Sequence, residues 1–467
     1  MDKETVFQHA YKLQQDGHLH QAVELYAQIL NHDPLCINTY INMGACYSQL
    51  KKLSLAESCI RRALEIQPDN RFALFNLGNT LCVKQQFDEA QHCIEQVIAV
   101  EEADGAVKPI EYFNLGLVFL YSNRPQQALL HFNKATSMAP VNPNFHWHRA
   151  LALLHFGHYK EGFEAFEWRL KLPALENAPR PSLDKRWRGE DLTDKAILLT
   201  TEQGFGDVLQ FLRFLPYLKR QVAKVFVLVK QPLAELVSAA DGVDGIIIEQ
   251  DTYTSMEIPI ARYYDYHFPL LSIPHYLNLA DKIESIAPTQ INFNKLNRSQ
   301  TINDAATLRI GLVWAGKTKP ADRSIPFVFL KSLLEDKALA NKGVTFYAFQ
   351  LDERRVDLNF LDFNTTVVDL SAQIKNFADT ALFMQQMNLI ITIDSAPAHL
   401  AGSLGIPTWL LLLYYSDWRW QAQKDKSVFY PNMRLFRQPH PNGWQAVAEN
   451  LKYALNELME EKYKTIS

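Results

Sequence analysis

Five copies of a segment of about 34 residues open this chain, and they restrict its fold more than any other feature. The copies start at Lys3, Ile37, Arg71, Pro109 and Pro143. Their eighth position is always small: Ala10, Gly44, Gly78, Gly116 and Ala150. Position 20 is small as well: Ala22, Ala56, Ala90, Ala128 and Gly162. Position 24 is large and apolar: Tyr26, Ile60, Ile94, Phe132 and Phe166. Small residues let two helices cross closely and large ones fill the space between them, so the pattern predicts stacked helix pairs.

This pattern resembles the tetratricopeptide repeat. One repeat cannot bury its own apolar face, so the copies must stack into a solenoid whatever else they do. Beyond that stacking, the resemblance implies a concave groove for an extended peptide or a protein segment. The repeats do not identify the partner.

The composition is that of an ordinary globular protein. A chain of 467 residues predicts about three domains. The formal charge of −4 gives no overall attraction to nucleic acid or to an anionic membrane. The start of the chain lacks a basic and then apolar leader, and no apolar run is long enough to span a bilayer. We therefore expect a cytoplasmic protein without a transmembrane segment, whose five cysteines are reduced.

The pattern changes after the repeats. A passage with Pro173, Pro179 and Pro181 predicts a linker, and alternating strands and helices follow it. Strands are predicted at residues 196–201, 225–229, 245–248 and 266–270, and then at 308–316, 344–349, 366–370, 389–393 and 408–413. We interpret the chain as a solenoid (1–173), a first Rossmann-like lobe (174–300) and a second Rossmann-like lobe (301–467), both lobes with parallel sheets.

The first lobe has a glycine-containing loop between its first strand and first helix. Gly204 and Gly206 let the backbone approach a ligand closely, and Asp207 stands at the start of the helix. An aspartate at this position can simply cap the helix. On spacing alone the cap is the better interpretation, because a Gly-x-Gly loop is weak evidence of a site.

The second lobe has a strand that runs directly into a helix near residue 394. The free N–H groups of Ser395, Ala396 and Ala398 are expected to form an anion site at the positive end of the helix dipole, beside Asp394. His399 lies about a turn and a half further along and can lean toward the same ligand. A lone histidine can also be a structural residue, but this one follows an anion-ready turn.

Basic residues follow the strand that ends near residue 316. Lys317, Lys319 or Arg323 could neutralise a diphosphate there, and the sequence does not decide among them or exclude a solvated loop. Gln350, just past the next strand, is expected to hydrogen-bond a base or ribose.

Taken together, these motifs resemble the tetratricopeptide-repeat glycosyltransferases of the GT-B fold, which are related to the heptosyltransferase group (glycosyltransferase family nine) and more distantly to O-GlcNAc transferase. The resemblance is most specific at residues 166–169, 202–207, 313–316, 322–326, 394–402 and 417–420.

The resemblance implies a nucleotide-sugar donor held mainly by the second lobe and an acceptor that approaches from the first. It implies that Asp207 is the general base. It also implies donor contacts from the second lobe: Lys317 or Arg323, Gln350, Asp394, Ser395, Ala396 and His399. The repeats would recruit the acceptor, a protein or peptide.

The sequence contains no Asp-x-Asp triplet, the carboxylate pair with which other glycosyltransferases hold a divalent metal. We therefore predict neither a metal nor a cofactor, and we expect the helix dipole and basic side chains to stabilise the diphosphate. Two other functions stay open. One is a non-catalytic adaptor with a degenerate glycosyltransferase-like domain, and the other is a nucleotide-binding hydrolase or epimerase.

Overall fold

The computed structural model describes residues 2–176, 183–249, 263–296, 298–318, 322–362, 365, 367–422 and 424–466. Within it the chain forms two compact units, Met1–Phe156 and Gly157–Ser467, and each is described by itself. Lys319, Pro179 and Pro181, which the sequence analysis singled out, lie outside the described residues.

The first unit is helical, and consecutive helices pack against one another. Its helices are α1 (Lys3–Gln15), α2 (Leu19–His32), α3 (Ile37–Gln49), α4 (Leu53–Ile66), α5 (Arg71–Val83), α6 (Phe87–Ala103), α7 (Pro109–Tyr121), α8 (Pro125–Met138) and α9 (Pro143–Phe156). The five cysteines in this unit form no disulfide.

Small residues at the helix crossings explain this packing. A methyl group added at Gly78 on α5 would lie 2.6 Å from Cγ1 of Ile94 on α6, so the two helices approach more closely than any larger residue allows. Gly44 meets Ile60 at the same distance one repeat earlier. The solenoid predicted from positions 8 and 24 is confirmed.

The second unit combines helices with parallel strands. Its α-helices are α10 (Tyr159–Phe166), α11 (Pro173–Glu176), α12 (Phe205–Phe211), α13 (Leu215–Lys219), α14 (Gln231–Ser238), α15 (Ile273–Tyr276), α16 (Phe327–Leu334), α17 (Lys337–Asn341), α18 (Phe377–Met384), α19 (Ala396–Ser403) and α20 (Trp444–Ile466). Its strands are β1 (Ala196–Thr200), β2 (Lys224–Val229), β3 (Gly245–Ile248), β4 (Tyr266–Pro269), β5 (Leu308–Val313), β6 (Val344–Ala348), β7 (Val367–Asp369), β8 (Leu389–Ile393), β9 (Thr408–Leu412) and β10 (Met433–Arg437).

These strands form two sheets. The first lobe has the order β3-β2-β1-β4 and the second has β10-β9-β8-β5-β6-β7, with every pair parallel. Read from β7, the second sheet has the doubly wound order 3-2-1-4-5-6 of nucleotide-binding folds. Strand order reverses between β1 and β4 and between β5 and β8. In sheets of this type, ligands bind outside the carboxyl ends of the strands at such points.

Three parts of the second unit differ from the sequence prediction. Strand β10 and helix α20 were not predicted, and they complete the second sheet and cover it. The apolar pattern of residues 208–220 favours one continuous helix, but the structure has α12, a 3-10 turn at Leu212–Phe214 and α13. Pro216 lies just inside α13, where its missing N–H prevents continuous α-helical hydrogen bonding from α12.

Across the residues that the structure describes, no helix is both long enough and apolar enough to cross a bilayer.

Candidate functional site

The two lobes of the second unit meet where α12 follows β1 and α19 follows β8. A methyl group added at Gly206 on α12 would lie 2.7 Å from Cδ2 of His399 and 3.5 Å from Cα of Ala396. Only a residue without a side chain fits at this position. The glycine predicted for close backbone approach is therefore in contact with the helix of the opposite lobe.

His399 is a buried, neutral histidine. Its Nδ1 lies 3.0 Å from the hydroxyl of Tyr430, and its ring stacks on Trp420 with the ring centroids 5.2 Å apart. Burial and the nearby guanidinium groups of Arg419 and Arg213 hold the pKa of His399 well below its usual value. The imidazole can therefore act as a hydrogen-bond donor or acceptor near pH 7 without carrying a charge.

Both carboxylate oxygens of Asp207 are engaged. Oδ2 accepts a hydrogen bond of 2.9 Å from the N–H of Gly204, which caps α12. Oδ1 accepts one of 2.6 Å from Nη2 of Arg419, in the second lobe. Burial raises the pKa of Asp207, and the positive charge of Arg419 opposes that shift. Asp207 is therefore not the N-cap that its spacing predicted: Gly204 is the N-cap, and Asp207 is the third residue of α12, where its carboxylate bonds back to the N–H of Gly204. Its role as a general base stays a prediction.

The sequence assigned no role to Arg419 beyond its place in the motif at residues 417–420, yet it is the central cation of the contact between the two lobes. Its guanidinium also donates to Oδ1 of Asp417 over 2.8 Å and to the side-chain oxygen of Gln210. The Trp418 ring lies 4.5 Å away. A charged residue within an aromatic run after a buried strand is the sequence signal that could have identified it.

A second ion pair lies in the second lobe, where β8 ends. Nη1 of Arg323 is 3.2 Å from Oδ2 of Asp394, whose side chain is 7% exposed against 39% for Arg323. Burial raises the pKa of Asp394, and Arg323 opposes the shift. We call the turn from Asp394 to Ala398, which leads into α19, the anion turn. Among the basic residues predicted to bind a diphosphate, Arg323 contacts this turn through Asp394, and its side chain is partly exposed to solvent.

The turn into α19 differs in one respect from the prediction. The N–H of Ala398 donates to the carbonyl of Ser395 over 3.0 Å, so the expectation that it is free was wrong. Within the described part of the chain, no acceptor is recorded for the N–H groups of Ser395 and Ala396. Ser395 has extended backbone and its hydroxyl donates to the carbonyl of Ile393. Two N–H groups therefore remain for an anion.

Gln350 and Lys317, two further residues predicted to contact the donor, form neither of the two ion pairs described above. The side-chain oxygen of Gln350 accepts from the N–H groups of Trp314 and Ala315, and its nitrogen donates to Ala315 and Asp352. Gln350 therefore fixes the chain as it leaves β5, and a contact with a base or ribose stays a prediction that would cost some of these bonds. Lys317 is exposed.

A buried ionic network supports the glycine loop of the first lobe. Arg169 is fully buried and contacts Glu167 at 2.7 Å, Glu202 at 2.6 Å and the hydroxyl of Ser272 at 2.9 Å. Glu202 follows β1 and Ser272 follows β4, so one guanidinium joins the two loops at the point where strand order reverses. Sequence reasoning did not assign this role, because the partners are far apart in the chain.

The comparisons with known proteins concern mainly the first unit. Residues 37–70 match a family model described as tetratricopeptide repeat, and residues 113–167 match a second model with that description. Solved structures of MamA share 20% identity over 36% of this chain and 90% of theirs, with a TM-score of 0.32. YrrB, described as a TPR protein with an unusual peptide-binding site, shares 20% over 32% of this chain and 75% of its own, with a TM-score of 0.28.

Two curated relatives extend the comparison. Protein FlbA of Caulobacter vibrioides is 24% identical over 454 residues, which cover 89% of this chain and 72% of FlbA. BBSome complex member BBS4 of Xenopus tropicalis is 27% identical over 135 residues, 29% of this chain and 25% of that protein. The chain therefore carries tetratricopeptide repeats, which commonly bind protein segments, followed by an α/β region with two parallel sheets.

Proposed function

We propose that the second unit is a glycosyltransferase of the GT-B type, which transfers a sugar from a nucleotide-sugar donor to an acceptor without a metal ion. One observation carries this proposal: the packing of Gly206 against His399 joins the ligand-binding edges of two parallel sheets. Ligands of such sheets bind at those edges, so a ligand at one lobe would lie close to side chains of the other. The resemblance found in the sequence supports the same interpretation.

The donor would bind at the start of α19. The N–H groups of Ser395 and Ala396 and the guanidinium of Arg323 would hold the diphosphate, with neutral His399 beside them. Asp207 would take the proton of the acceptor hydroxyl, whose oxygen forms a bond to the anomeric carbon. The bond from that carbon to the phosphate oxygen breaks, and its electron pair leaves with the nucleoside diphosphate. General-base catalysis of this kind contributes about 10²–10⁴-fold.

The tetratricopeptide repeats would recruit the acceptor, a protein or peptide, as solenoids of this type do with extended segments. This part of the proposal rests on the repeats alone.

Calorimetric titration of the full chain with UDP, GDP, ADP and CDP tests the donor site. We expect one of these nucleotides to bind, and Arg323→Gln to weaken its affinity about tenfold or more, because a charge-assisted phosphate contact is lost. Lys331→Gln is the matched control, since Lys331 on α16 pairs with Glu335, just past the end of that helix, and the ion-pair partners that the structure describes for it are not residues of the proposed site. No binding by any of the four, or equal loss in both variants, would contradict the donor site.

A specific observation also favours a second function. The carboxylates of Asp207 and Asp394 are both paired with arginines, so the cluster is already neutralised internally. In a non-catalytic adaptor these ion pairs would only stabilise the α/β unit, and the repeats would be the working surface. An adaptor needs no nucleotide, so the same titration distinguishes the two functions.

A further inference from the structure

The proposed base is weakened in the arrangement that the structure shows. Asp207 accepts hydrogen bonds from the N–H of Gly204 and from the guanidinium of Arg419, at 2.9 and 2.6 Å. A carboxylate has about four lone-pair sites, so it can still accept a proton, but the positive charge of Arg419 stabilises its ionised form and lowers its affinity for that proton. The bond to Gly204 belongs to the helix cap and can persist during the reaction. Opening the bond to Arg419 would make Asp207 a stronger base.

A shift of Arg419 away from Asp207 would break its bonds to the first lobe and keep those within its own segment. Asp207 and Gln210 both lie on α12, and the rigid guanidinium plane reaches them together, so the hydrogen bond to Gln210 would open with the ion pair. Asp417, at 2.8 Å, and the Trp418 ring, at 4.5 Å, are chain neighbours of Arg419 and can stay in contact with it. The side chain would therefore remain held after the ion pair opens.

The place toward which Arg419 would turn is the anion turn of α19. Gly206, next to Asp207, packs on His399 and Ala396, and the charge of Arg419 acts on both His399 and Asp394. A diphosphate at the free N–H groups of Ser395 and Ala396 would bring several negative charges close to Arg419. It would therefore compete with Asp207 for the guanidinium.

The segment that carries Arg419 ends in an unusual backbone conformation. Gln421 has φ 36° and ψ 134°, in the left-handed half of the map that side-chain-bearing residues rarely adopt. Nη2 of Arg437 donates to the carbonyls of both Trp420 and Gln421 over 2.8 Å and keeps them in place. Strain held by such contacts is consistent with a segment that has a second arrangement.

We propose that the Arg419–Asp207 ion pair is an anion-responsive contact: the diphosphate of a bound donor draws Arg419 away, and the carboxylate of Asp207 then becomes a stronger base. This inference rests on the proposed donor site. Arg419 is in this account a positioning residue, because it acts through Asp207 and the diphosphate. The consequence is that donor binding raises the affinity of Asp207 for the proton of an acceptor hydroxyl.

Calorimetry with inorganic pyrophosphate and with UDP tests this inference. Titrations at pH 6 in two buffers of different ionisation enthalpy give both the affinity and the number of protons taken up. Loss of Arg419 leaves burial to raise the pKa of Asp207, so the wild-type chain should take up protons when pyrophosphate binds. Asp207→Asn should take up less and bind about fivefold tighter or more, since the competing carboxylate is gone.

Asp362→Asn is the matched control. It removes an equal charge from an exposed carboxylate whose ion-pair partner is Lys331, outside the proposed site, and it should behave like the wild type. Asn at position 207 can still accept from the N–H of Gly204, and a thermal melt checks that the fold is intact.

Equal affinity and equal proton uptake in wild type and Asp207→Asn would overturn the inference, as would a failure of pyrophosphate to bind at all. Binding of pyrophosphate with the predicted proton uptake, but no binding of UDP, would count against the nucleotide-sugar proposal alone. Binding of UDP without any effect of Asp207→Asn would count against the ion-pair inference alone.

Discussion

The ring of His399 lies against the backbone of Gly206, and no side chain fits between them: a methyl group at residue 206 would be 2.7 Å from Cδ2 of the imidazole. The two residues belong to different lobes and are far apart in the chain. Their contact brings together the carboxyl-end edges of two parallel sheets, where ligands of such sheets bind, and the proposed function depends on it.

The first prediction concerns this contact directly. Gly206→Ala should destabilise the second unit by about 1–3 kcal/mol, because the added methyl group overpacks a buried contact. Urea unfolding followed by tryptophan fluorescence measures this effect, since every tryptophan except Trp147 lies in the second unit. Gly204→Ala is the control in the same loop. Its methyl group would meet only Oδ2 of Asp207, at 3.3 Å, so it should cost less than about 1 kcal/mol.

The second prediction concerns the buried arginine of the first lobe. Arg169→Gln should cost about 3–5 kcal/mol, because Glu202 and Glu167 would lose the cation that pairs with both of them in a site where the arginine itself is fully buried. Arg355→Gln removes an exposed pair with Asp369 and should cost less than about 1 kcal/mol in the same unfolding experiment. Equal effects of the two substitutions would mean that the network adds nothing to the stability of the loops.

The third prediction is a pH dependence. The pKa of His399 is held well below the value of about 6.5 that it has in the unfolded chain. Below pH 6.5 the unfolded chain therefore binds a proton that the folded chain does not, and the folded state loses stability by up to about 1.4 kcal/mol per pH unit. In the variant His399→Asn, the asparagine side chain cannot take up that proton, so this loss of stability should be absent.

The measurement is unfolding of the wild type and His399→Asn at pH 7.5 and pH 5.5. The wild type should lose about 1 kcal/mol more than the variant between these two pH values. The difference between the two chains is the quantity to use, because other carboxylates and histidines titrate in both. If both chains lose the same stability, His399 is not a buried neutral residue in solution.

The fourth prediction concerns Tyr159 on α10. Its hydroxyl donates to Glu284 of the first lobe over 2.9 Å and accepts from Gln421 of the second over 2.7 Å. Tyr159→Phe should cost about 1 kcal/mol, since Glu284 is exposed and can bond to water instead. Tyr263→Phe, at a side chain that is 63% exposed, should cost nothing measurable. If Tyr263→Phe lost more unfolding free energy than Tyr159→Phe, the hydrogen bonds of the Tyr159 hydroxyl would not contribute to stability as predicted.

The sequence predicts elements that follow a strong period and misses those that do not. The repeat positions of Gly78 and Ile94 predicted the helix pairs, because each helix crossing requires a small residue opposite a large one. Apolar runs such as Leu389–Ile393 predicted the strands, because a strand buried on both faces has apolar residues throughout. Strand β10 was missed because Arg434 and Arg437 interrupt its apolar pattern. Pro216 divided a helix whose apolar period appeared continuous.

The candidate site was predictable only where it is local. Gly206 and the turn at Asp394 can be recognised from their neighbours in the chain. The ion-pair partner of Asp207 could not be recognised in this way, because Arg419 lies 212 residues away in the chain and reaches Asp207 through the packing of the two lobes. Gln350 shows the opposite case: its position after a strand favoured a ligand contact, but the backbone of Trp314 and Ala315 uses its amide.

Mass spectrometry of cellular proteins tests the central claim, sugar transfer, most directly. Cells that express the wild-type chain would be compared with cells that lack it and with cells that express Asp207→Asn at the same level. We predict that at least one protein carries a sugar-sized mass addition in the first sample and lacks it in the other two. Identical protein masses in all three samples would contradict glycosyl transfer and favour the adaptor.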